Sequence, residues 1–145
     1  MDLGLESWNA RVPQHTECAA AEAAVILLDT NAVIWLDQRH RRARVLLNQG
    51  TPLAVSPASV LEWQFIVESG RLKLKSSLRD VLADPRWRVD EPPALSWFTA
   101  AAEESWTRDP FDRLIVAHAR LRGWRVATAD RTILDHLRPS ERLEL

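Results

Sequence analysis

From residue 25 onward, short apolar runs alternate with stretches of helical pattern along the chain. Residues 25–28 form a continuous apolar run, and further candidate strands lie at 52–55, 87–89, 125–128 and 142–145. A short apolar run without polar alternation is typical of a strand that is covered on both faces, as in a parallel sheet. The alternation therefore predicts an α/β domain in which a mostly parallel sheet is covered by helices on both faces.

Helix signals fill the segments between these strands. Ser56 and Pro57 are a typical N-cap and first helical residue, and Gly70 is placed to end the helix that they begin. Pro110 and Gly123 bound another helix in the same way. The predicted helices span 31–38, 41–48, 57–70, 77–83, 95–106, 110–122 and 131–137.

Composition excludes several kinds of chemistry. The 145 residues, 46% hydrophobic and 27% charged, are typical of one soluble globular domain. A single cysteine, Cys18, excludes an internal disulfide and a multi-cysteine zinc site, and four separated glycines exclude a glycine-rich phosphate loop. The chain has no tyrosine, and its four histidines are scattered. Catalysis would therefore depend mainly on carboxylates, hydroxyls and arginines.

Charge and hydropathy give expectations about partners and location. The net charge of −1 gives no reason to expect tight non-specific binding to nucleic acid, although all but Lys73 and Lys75 of the nineteen cationic residues are arginines, which suit phosphate recognition. Export and membrane signals are absent from the sequence, so we expect a cytoplasmic protein. Residues 1–24 carry four acids against one base, Arg11, and lack clear periodicity. We interpret them as an N-terminal extension and leave open whether it is mobile.

Acidic residues recur where predicted strands pass into helices. Asp29 follows the first strand, Glu62 lies on the helix after the second, Asp109 and Asp112 begin the helix at 110, and Asp130 follows the strand at 125–128. Parallel strands present their carboxyl ends at one edge, where α/β proteins bind their ligands. The sequence therefore predicts a cluster of carboxylates in one cleft.

Each acid also has an ordinary structural interpretation. Acidic side chains are favoured at helix N-termini, so Asp109 and Asp130 can be N-caps, and Glu62 can close a capping box with Ser59. Several caps at one edge would repel one another unless they take up protons or bind a cation. Hard divalent cations such as Mg²⁺ and Mn²⁺ prefer carboxylate ligands and suit phosphodiester hydrolysis.

Four segments resemble the ordered motifs of PIN-domain ribonucleases, and of the VapC toxins of type II toxin–antitoxin pairs in particular. They are ILLDTNAVIW at 26–35, SPASVLE at 56–62, DPFDRLIVAHA at 109–119 and TAD at 128–130. The resemblance implies that residues 25–145 form a three-layer α/β/α nuclease domain with a five-stranded, mostly parallel sheet. It also implies a Mg²⁺- or Mn²⁺-dependent endoribonuclease, a homodimer, and an antitoxin protein that inhibits it.

The resemblance assigns roles to individual residues. The acidic quartet that would bind metal and catalyse hydrolysis is Asp29, Glu62, Asp112 and Asp130, and the supporting polar residues are Thr30, Asn31 and Thr128. Two other features have weaker functional readings. Arg39, Arg41, Arg42 and Arg44 can hold RNA phosphates or form a solvated helix face. His118 is interpreted as a packed residue of its helix in preference to a ligand.

Two alternatives from other functional classes stay open at this point. One is another metal-dependent α/β enzyme, such as a phosphatase of the haloacid dehalogenase type. Such phosphatases carry a second Asp two residues after the first, where this chain has Asn31, and they use a lysine after a later strand. The other alternative is a catalytically inactive PIN fold that serves only for binding. The intact acidic quartet argues against it.

Overall fold

The computed structural model describes residues 25–145, so the extension at 1–24 and Cys18 lie outside the described residues. The five strands are β1 (Ile26–Leu28), β2 (Leu53–Val55), β3 (Arg88–Val89), β4 (Arg125–Thr128) and β5 (Arg142–Glu144). The seven helices are α1 (Thr30–Asp37), α2 (Arg44–Leu47), α3 (Pro57–Ser69), α4 (Leu78–Ala83), α5 (Ala94–Glu103), α6 (Pro110–Arg122) and α7 (Arg131–His136). Within residues 25–145, no helix is long and apolar enough to cross a membrane.

The strands form one sheet in the order β3-β2-β1-β4-β5, and every pairing is parallel. The central strand β1 pairs with β2 through Leu28 opposite Val55 and with β4 through Leu28 opposite Ala127. The carboxyl ends of the three central strands therefore lie side by side at one edge. The predicted parallel α/β fold is confirmed.

Helices cover both faces of this sheet. Successive strand residues point to opposite faces, and in β1 Leu27 packs in one core cluster while Ile26 and Leu28 pack in the other. The cluster around Leu27 contains α5, α6 and α7, and the cluster around Leu28 contains α1, α2 and α4. The apolar run at 25–28 is fully covered because each face of β1 meets its own layer of helices.

Two helices differ from the sequence prediction. The segment predicted as one helix over 41–48 consists of a 3-10 turn (Arg41–Ala43) followed by the short helix α2. Helix α5 ends at Glu103 instead of continuing to Trp106. There the indole Nε1 of Trp106 donates to the buried Glu104 carboxylate at 2.6 Å, and the Trp106 ring stacks on His136. These contacts turn the chain away from the helix axis.

The prediction that His118 is a packed residue of its helix is confirmed. Its side chain is fully buried on α6, and Nε2 lies 2.7 Å from the carboxylate of Asp90, which directly follows β3. The guanidinium Nε of Arg122 donates to the same oxygen at 2.9 Å. Burial opposes ionisation of Asp90, but the hydrogen bonds from His118 and Arg122 outweigh it and hold the pKa of Asp90 below its usual value. Asp90 therefore connects the end of β3 to α6.

Because this link is partly buried, removing its carboxylate should cost stability. We expect Asp90→Ala to lower the free energy of unfolding by about 2–3 kcal/mol, since the change leaves buried His118 Nε2 without its partner and the Arg122 guanidinium with only the Glu91 carbonyl as acceptor. Urea denaturation of the two proteins measures this difference. Asp135→Ala, which removes an exposed acid with no described ion pair, is the control and should change the free energy by less than about 0.5 kcal/mol. Equal effects of the two substitutions would contradict a structural role for the link.

Candidate active site

Three aspartates at the carboxyl edge of the sheet each begin a helix. Asp29 lies between β1 and α1, and its Oδ1 accepts a hydrogen bond from the backbone N–H of Ala32 at 2.7 Å. Asp109 precedes Pro110 and caps α6 through the N–H groups of Phe111, at 2.8 Å, and Asp112, at 3.3 Å. The ordinary interpretation of Asp109 as an N-cap is confirmed.

Asp130 caps α7 in the same way. Its Oδ1 accepts from the N–H groups of Thr132, at 2.8 Å, and Ile133, at 3.4 Å. The hydroxyl of Thr128, the last residue of β4, accepts a hydrogen bond from the Asp130 N–H at 3.0 Å and also hydrogen-bonds to the Asp29 carboxylate. Thr128 therefore ties two of the acids to the end of one strand.

Glu62 reaches the same place from α3, one and a half turns into the helix. The hydroxyl of Thr30, at the start of α1, donates a hydrogen bond to Glu62 Oε2. The proposed capping box with Ser59 is wrong. Ser56 caps α3 by accepting from the Ala58 N–H, and the Ser59 hydroxyl, within the described residues, has no hydrogen-bond partner. The carboxylate turns toward the cleft because Thr30 holds it there.

These side chains line one small cavity of about 90 Å³. Its lining residues are Asp29, Thr30, Asn31, Glu62, Asp109, Asp112, Ile115, Asp130 and Ile133. All four acids of the predicted quartet are among them, together with Thr30 and Asn31. Asp109, which the sequence places in the predicted cluster of carboxylates but outside the quartet, lines the cavity as well as capping α6.

Burial and mutual repulsion raise the pKa values of these acids. Burial raises the pKa of Asp29 to about 6, against the lowering effect of hydrogen bonds from Thr128 and Ala32. Burial and the negative charges of Asp109 and Asp130 raise the pKa of Asp112 to about 7. The pKa of Glu62 is also raised, chiefly by burial. Acids that are this costly to ionise are typical of functional sites.

Asp112 is the acid that the fold leaves without a partner. Its carboxylate accepts no hydrogen bond from the described residues, and none of their ion pairs involves any acid of the cavity. Elsewhere the fold neutralises its buried acids, as Arg120 neutralises Glu104 at 2.6 Å beside a larger cleft of about 550 Å³. Among residues 25–145, the acids of the 90 Å³ cavity are therefore left without a neutralising positive charge.

The donor set fits a hard divalent cation. It consists of carboxylate, hydroxyl and amide oxygens, without described histidine or cysteine ligands in the cavity. In residues 25–145, no three His, Cys, Asp or Glu side chains converge closely enough to coordinate an ion directly. Small hard cations such as Mg²⁺ usually keep several waters and bind through one or two carboxylates. A cavity of about 90 Å³ is large enough to admit water, so a partly hydrated ion fits these acids.

The four arginines at 39–44 lie away from this cavity. They follow the C-terminal end of α1, whereas Asp29 caps its N-terminal end. At 1.5 Å per residue the eight residues of α1 separate the two places by about 12 Å. The structure therefore brings the acidic quartet together without bringing the arginines to it.

A parallel five-stranded sheet with acids at the ends of its central strands defines the class of protein. Residues 26–138 match the PIN domain family, and the chain belongs to that family.

Individual relatives agree with this assignment. The chain is 31% identical over 121 residues to Ribonuclease VapC22 of Mycobacterium tuberculosis, which covers 79% of this chain and 93% of the relative. A toxin–antitoxin complex from Klebsiella pneumoniae contains a chain of the same fold, with a TM-score of 0.63 and 18% identity over 83% of this chain and 99% of that one. A DNA-bound VapBC complex from Salmonella typhimurium matches with a TM-score of 0.53 and 26% identity over 83% of this chain and 97% of that one.

Proposed function

We propose that this protein is a divalent-metal-dependent endoribonuclease, the toxin of a toxin–antitoxin pair, with Mg²⁺ or Mn²⁺ as its cofactor. The observation that carries the proposal is the convergence of Asp29, Glu62, Asp112 and Asp130 on one cavity that holds no described positive charge. Membership of the PIN-domain family and the 31% identity to a protein named as a ribonuclease support it.

Each residue of the cavity has a distinct part in this proposal. The carboxylates of Asp29 and Asp112 would bind the cation, because they come from different elements and face one space. A divalent cation bound there supplies an activated water and neutralises charge that develops on the phosphate. Glu62 and Asp130 would orient the attacking water from the other walls. Asn31, exposed at the rim, is placed to donate its amide N–H to a phosphate oxygen.

Incubation of the purified protein with structured RNA tests the activity. We expect cleavage with Mg²⁺ or Mn²⁺ and none after the metal is removed with EDTA. Asp29→Asn should be inactive under both conditions, and its melting temperature shows whether it is folded. Cleavage that survives chelation, or that persists in Asp29→Asn, contradicts the mechanism.

We also propose a protein partner that covers the acidic cavity and places a basic side chain among the carboxylates. The chain shares its fold with chains from complexes described as toxin–antitoxin or VapBC, and an arginine or lysine there would supply the missing charge. Expression of this chain alone should stop growth, and co-expression with the neighbouring antitoxin gene should restore it. Equal growth in both cases, with soluble protein made, would count against the partner. The homodimer implied by the resemblance stays a prediction, which light scattering of the purified protein tests.

The hydrogen bond from Thr30 to Glu62 gives a prediction within the site. We expect Thr30→Val to lower the rate of RNA cleavage about tenfold, because Glu62 loses the donor that turns it toward the cavity. Thr30→Ser keeps the hydroxyl and should retain most of the rate. Single-turnover cleavage rates of the three proteins decide the matter. A Thr30→Val variant that cleaves as fast as the wild type, or a Thr30→Ser variant as slow as Thr30→Val, contradicts a role for this hydrogen bond.

A further inference from the structure

Beyond the acidic cavity, the segment at the end of α1 forms a basic surface with aromatic rings. We call it the α1 patch and define it by Trp35, Arg39, His40, Arg41, Arg42 and Arg44. We propose that the α1 patch is an exosite for single-stranded RNA, which holds phosphates and stacked bases of a strand whose scissile bond lies in the acidic cavity. The inference rests on the proposed ribonuclease function.

The arginines of the α1 patch form no ion pair with the described residues. All four are exposed, and no described acid lies within ion-pair distance of them. Several other arginines among the described residues, in contrast, have acidic partners, for example Arg86 with Asp84 and Arg122 with Asp90. A concentration of unpaired guanidinium groups within six residues is a suitable surface for a phosphate backbone.

The aromatic part of the patch is already arranged as a stack. The rings of Trp35 and His40 are 5.1 Å apart and within 22° of parallel, and the guanidinium carbon of Arg42 lies 5.5 Å from the Trp35 ring centre. His40 Nδ1 accepts the Arg42 N–H at 3.2 Å, which fixes the imidazole in place. Trp35 is half-buried and His40 is exposed, and both lie among the arginines. Aromatic rings interleaved with arginines are the combination that single-stranded nucleic acids bind, because every base has a face to stack.

Helix α1 connects this patch to the cavity. Asn31, Trp35 and Gln38 follow the spacing of one helix face, and they are the members of α1 that keep solvent exposure on that side. Asn31 lines the acidic cavity at one end of this face, and Trp35 belongs to the patch at the other. The separation of about 12 Å is short enough for one strand to contact both places.

Arg39 adds an independent observation. Its φ of 54° is, among residues 25–145, the only positive φ outside glycine. The N–H of His40 donates to Trp35 O and that of Arg39 to Leu36 O, which is the pattern that closes a helix with a left-handed residue, usually glycine. An arginine in that position is conformationally unfavourable. Backbone strain of this kind concentrates at functional sites, and here it projects a cation beside the other three.

Binding of a labelled single-stranded RNA, measured by fluorescence anisotropy in EDTA so that the RNA stays intact, tests the exosite. The triple variant Arg41→Gln, Arg42→Gln, Arg44→Gln should bind about tenfold more weakly or worse, and the slope of log affinity against log salt should become shallower by about two. The control is Arg138→Gln, which removes an exposed arginine on the opposite helix layer and should change neither quantity. A double-stranded RNA of the same sequence should bind the wild type more weakly than the single strand.

Arg39→Gly separates stability from binding. It should raise the melting temperature by about 3 °C, because glycine adopts positive φ without steric strain. It should also weaken RNA binding about threefold, because the guanidinium is lost. A lower melting temperature, or unchanged RNA affinity, contradicts the account of Arg39.

The results distinguish this inference from the proposed function. If the wild type cleaves RNA but the triple variant binds RNA as tightly as the wild type, the exosite is contradicted and the proposed function is not. The same holds if Arg138→Gln loses as much affinity as the triple variant, or if the triple variant loses only the protein partner. A wild type that neither binds nor cleaves RNA overturns both.

Discussion

Replacement of Asp112 by asparagine should abolish RNA cleavage, by a factor of about a thousand or more, and stabilise the metal-free protein. Asparagine lacks the full negative charge needed to hold a divalent cation, so the activated water is lost. It also relieves the repulsion from Asp109 and Asp130 that helps to raise the pKa of Asp112 to about 7. We expect a gain of about 1 kcal/mol in the free energy of unfolding at neutral pH. Cleavage rates with Mn²⁺ and urea denaturation in EDTA measure the two effects.

Asp109→Asn is the matched control, because the same chemical change is made three residues away on the same helix. Asp109 caps α6 through its Oδ1, and asparagine caps a helix about as well. We therefore expect this variant to keep its fold and most of its cleavage rate. If Asp109→Asn is the inactive variant and Asp112→Asn the active one, the two roles have been assigned the wrong way round.

The stability of the metal-free protein should depend on pH through the same acids. The pKa values of Asp29 and Asp112 in the folded state, about 6 and about 7, lie above the value of 3.8 for an unperturbed aspartate. Between pH 4 and pH 7 the folded state therefore binds more protons than the unfolded state, and the free energy of unfolding falls as the pH rises. We expect the loss that Asp112 causes to reach about 2 kcal/mol by pH 8, after allowance for its partial exposure.

Measuring wild type against Asp112→Asn isolates this contribution. Burial lowers the pKa of His118, which weakens the fold as the pH falls below about 6.5, but this effect is common to both proteins and cancels in their difference. The stability advantage of Asp112→Asn in EDTA should grow from pH 5 to pH 8. Mn²⁺ should raise the melting temperature of the wild type and not of the variant, because it binds only the intact native site. An advantage that does not change with pH contradicts the raised pKa of Asp112.

Local signals explain which elements were predictable from the sequence. Helix α6 begins and ends at the predicted residues because Asp109, Pro110 and Gly123 mark its ends within the chain itself. The end of α5 was missed because it is set by Glu104, whose partner Arg120 lies sixteen residues further along. Strand β4 is predicted in full, since Gly123 ends the helix before it and Asp130 begins the helix after it.

The same distinction holds for the site. Parallel topology predicts that the acids at the strand-to-helix junctions share one cavity, and the structure brings all five of them together, namely Asp29, Glu62, Asp109, Asp112 and Asp130. The partner of Glu62 was not predictable, since Thr30 is thirty-two residues away and Ser59 offered a plausible local partner. The buried link between Asp90 and His118 was missed for the same reason. The chemical roles of the quartet stay predictions that the substitutions above test.

Three acids of the cavity cap helices, and this capping bears on whether the protein folds before it binds metal. Asp29, Asp109 and Asp130 are each held by backbone N–H groups, whose partial positive charge accompanies the start of every helix. These caps need only groups of the chain itself, so we expect the metal-free protein to fold and to bind the cation afterwards. Under the proposed function, the supply of cation or capture by an inhibitor would then decide whether the folded molecule becomes active.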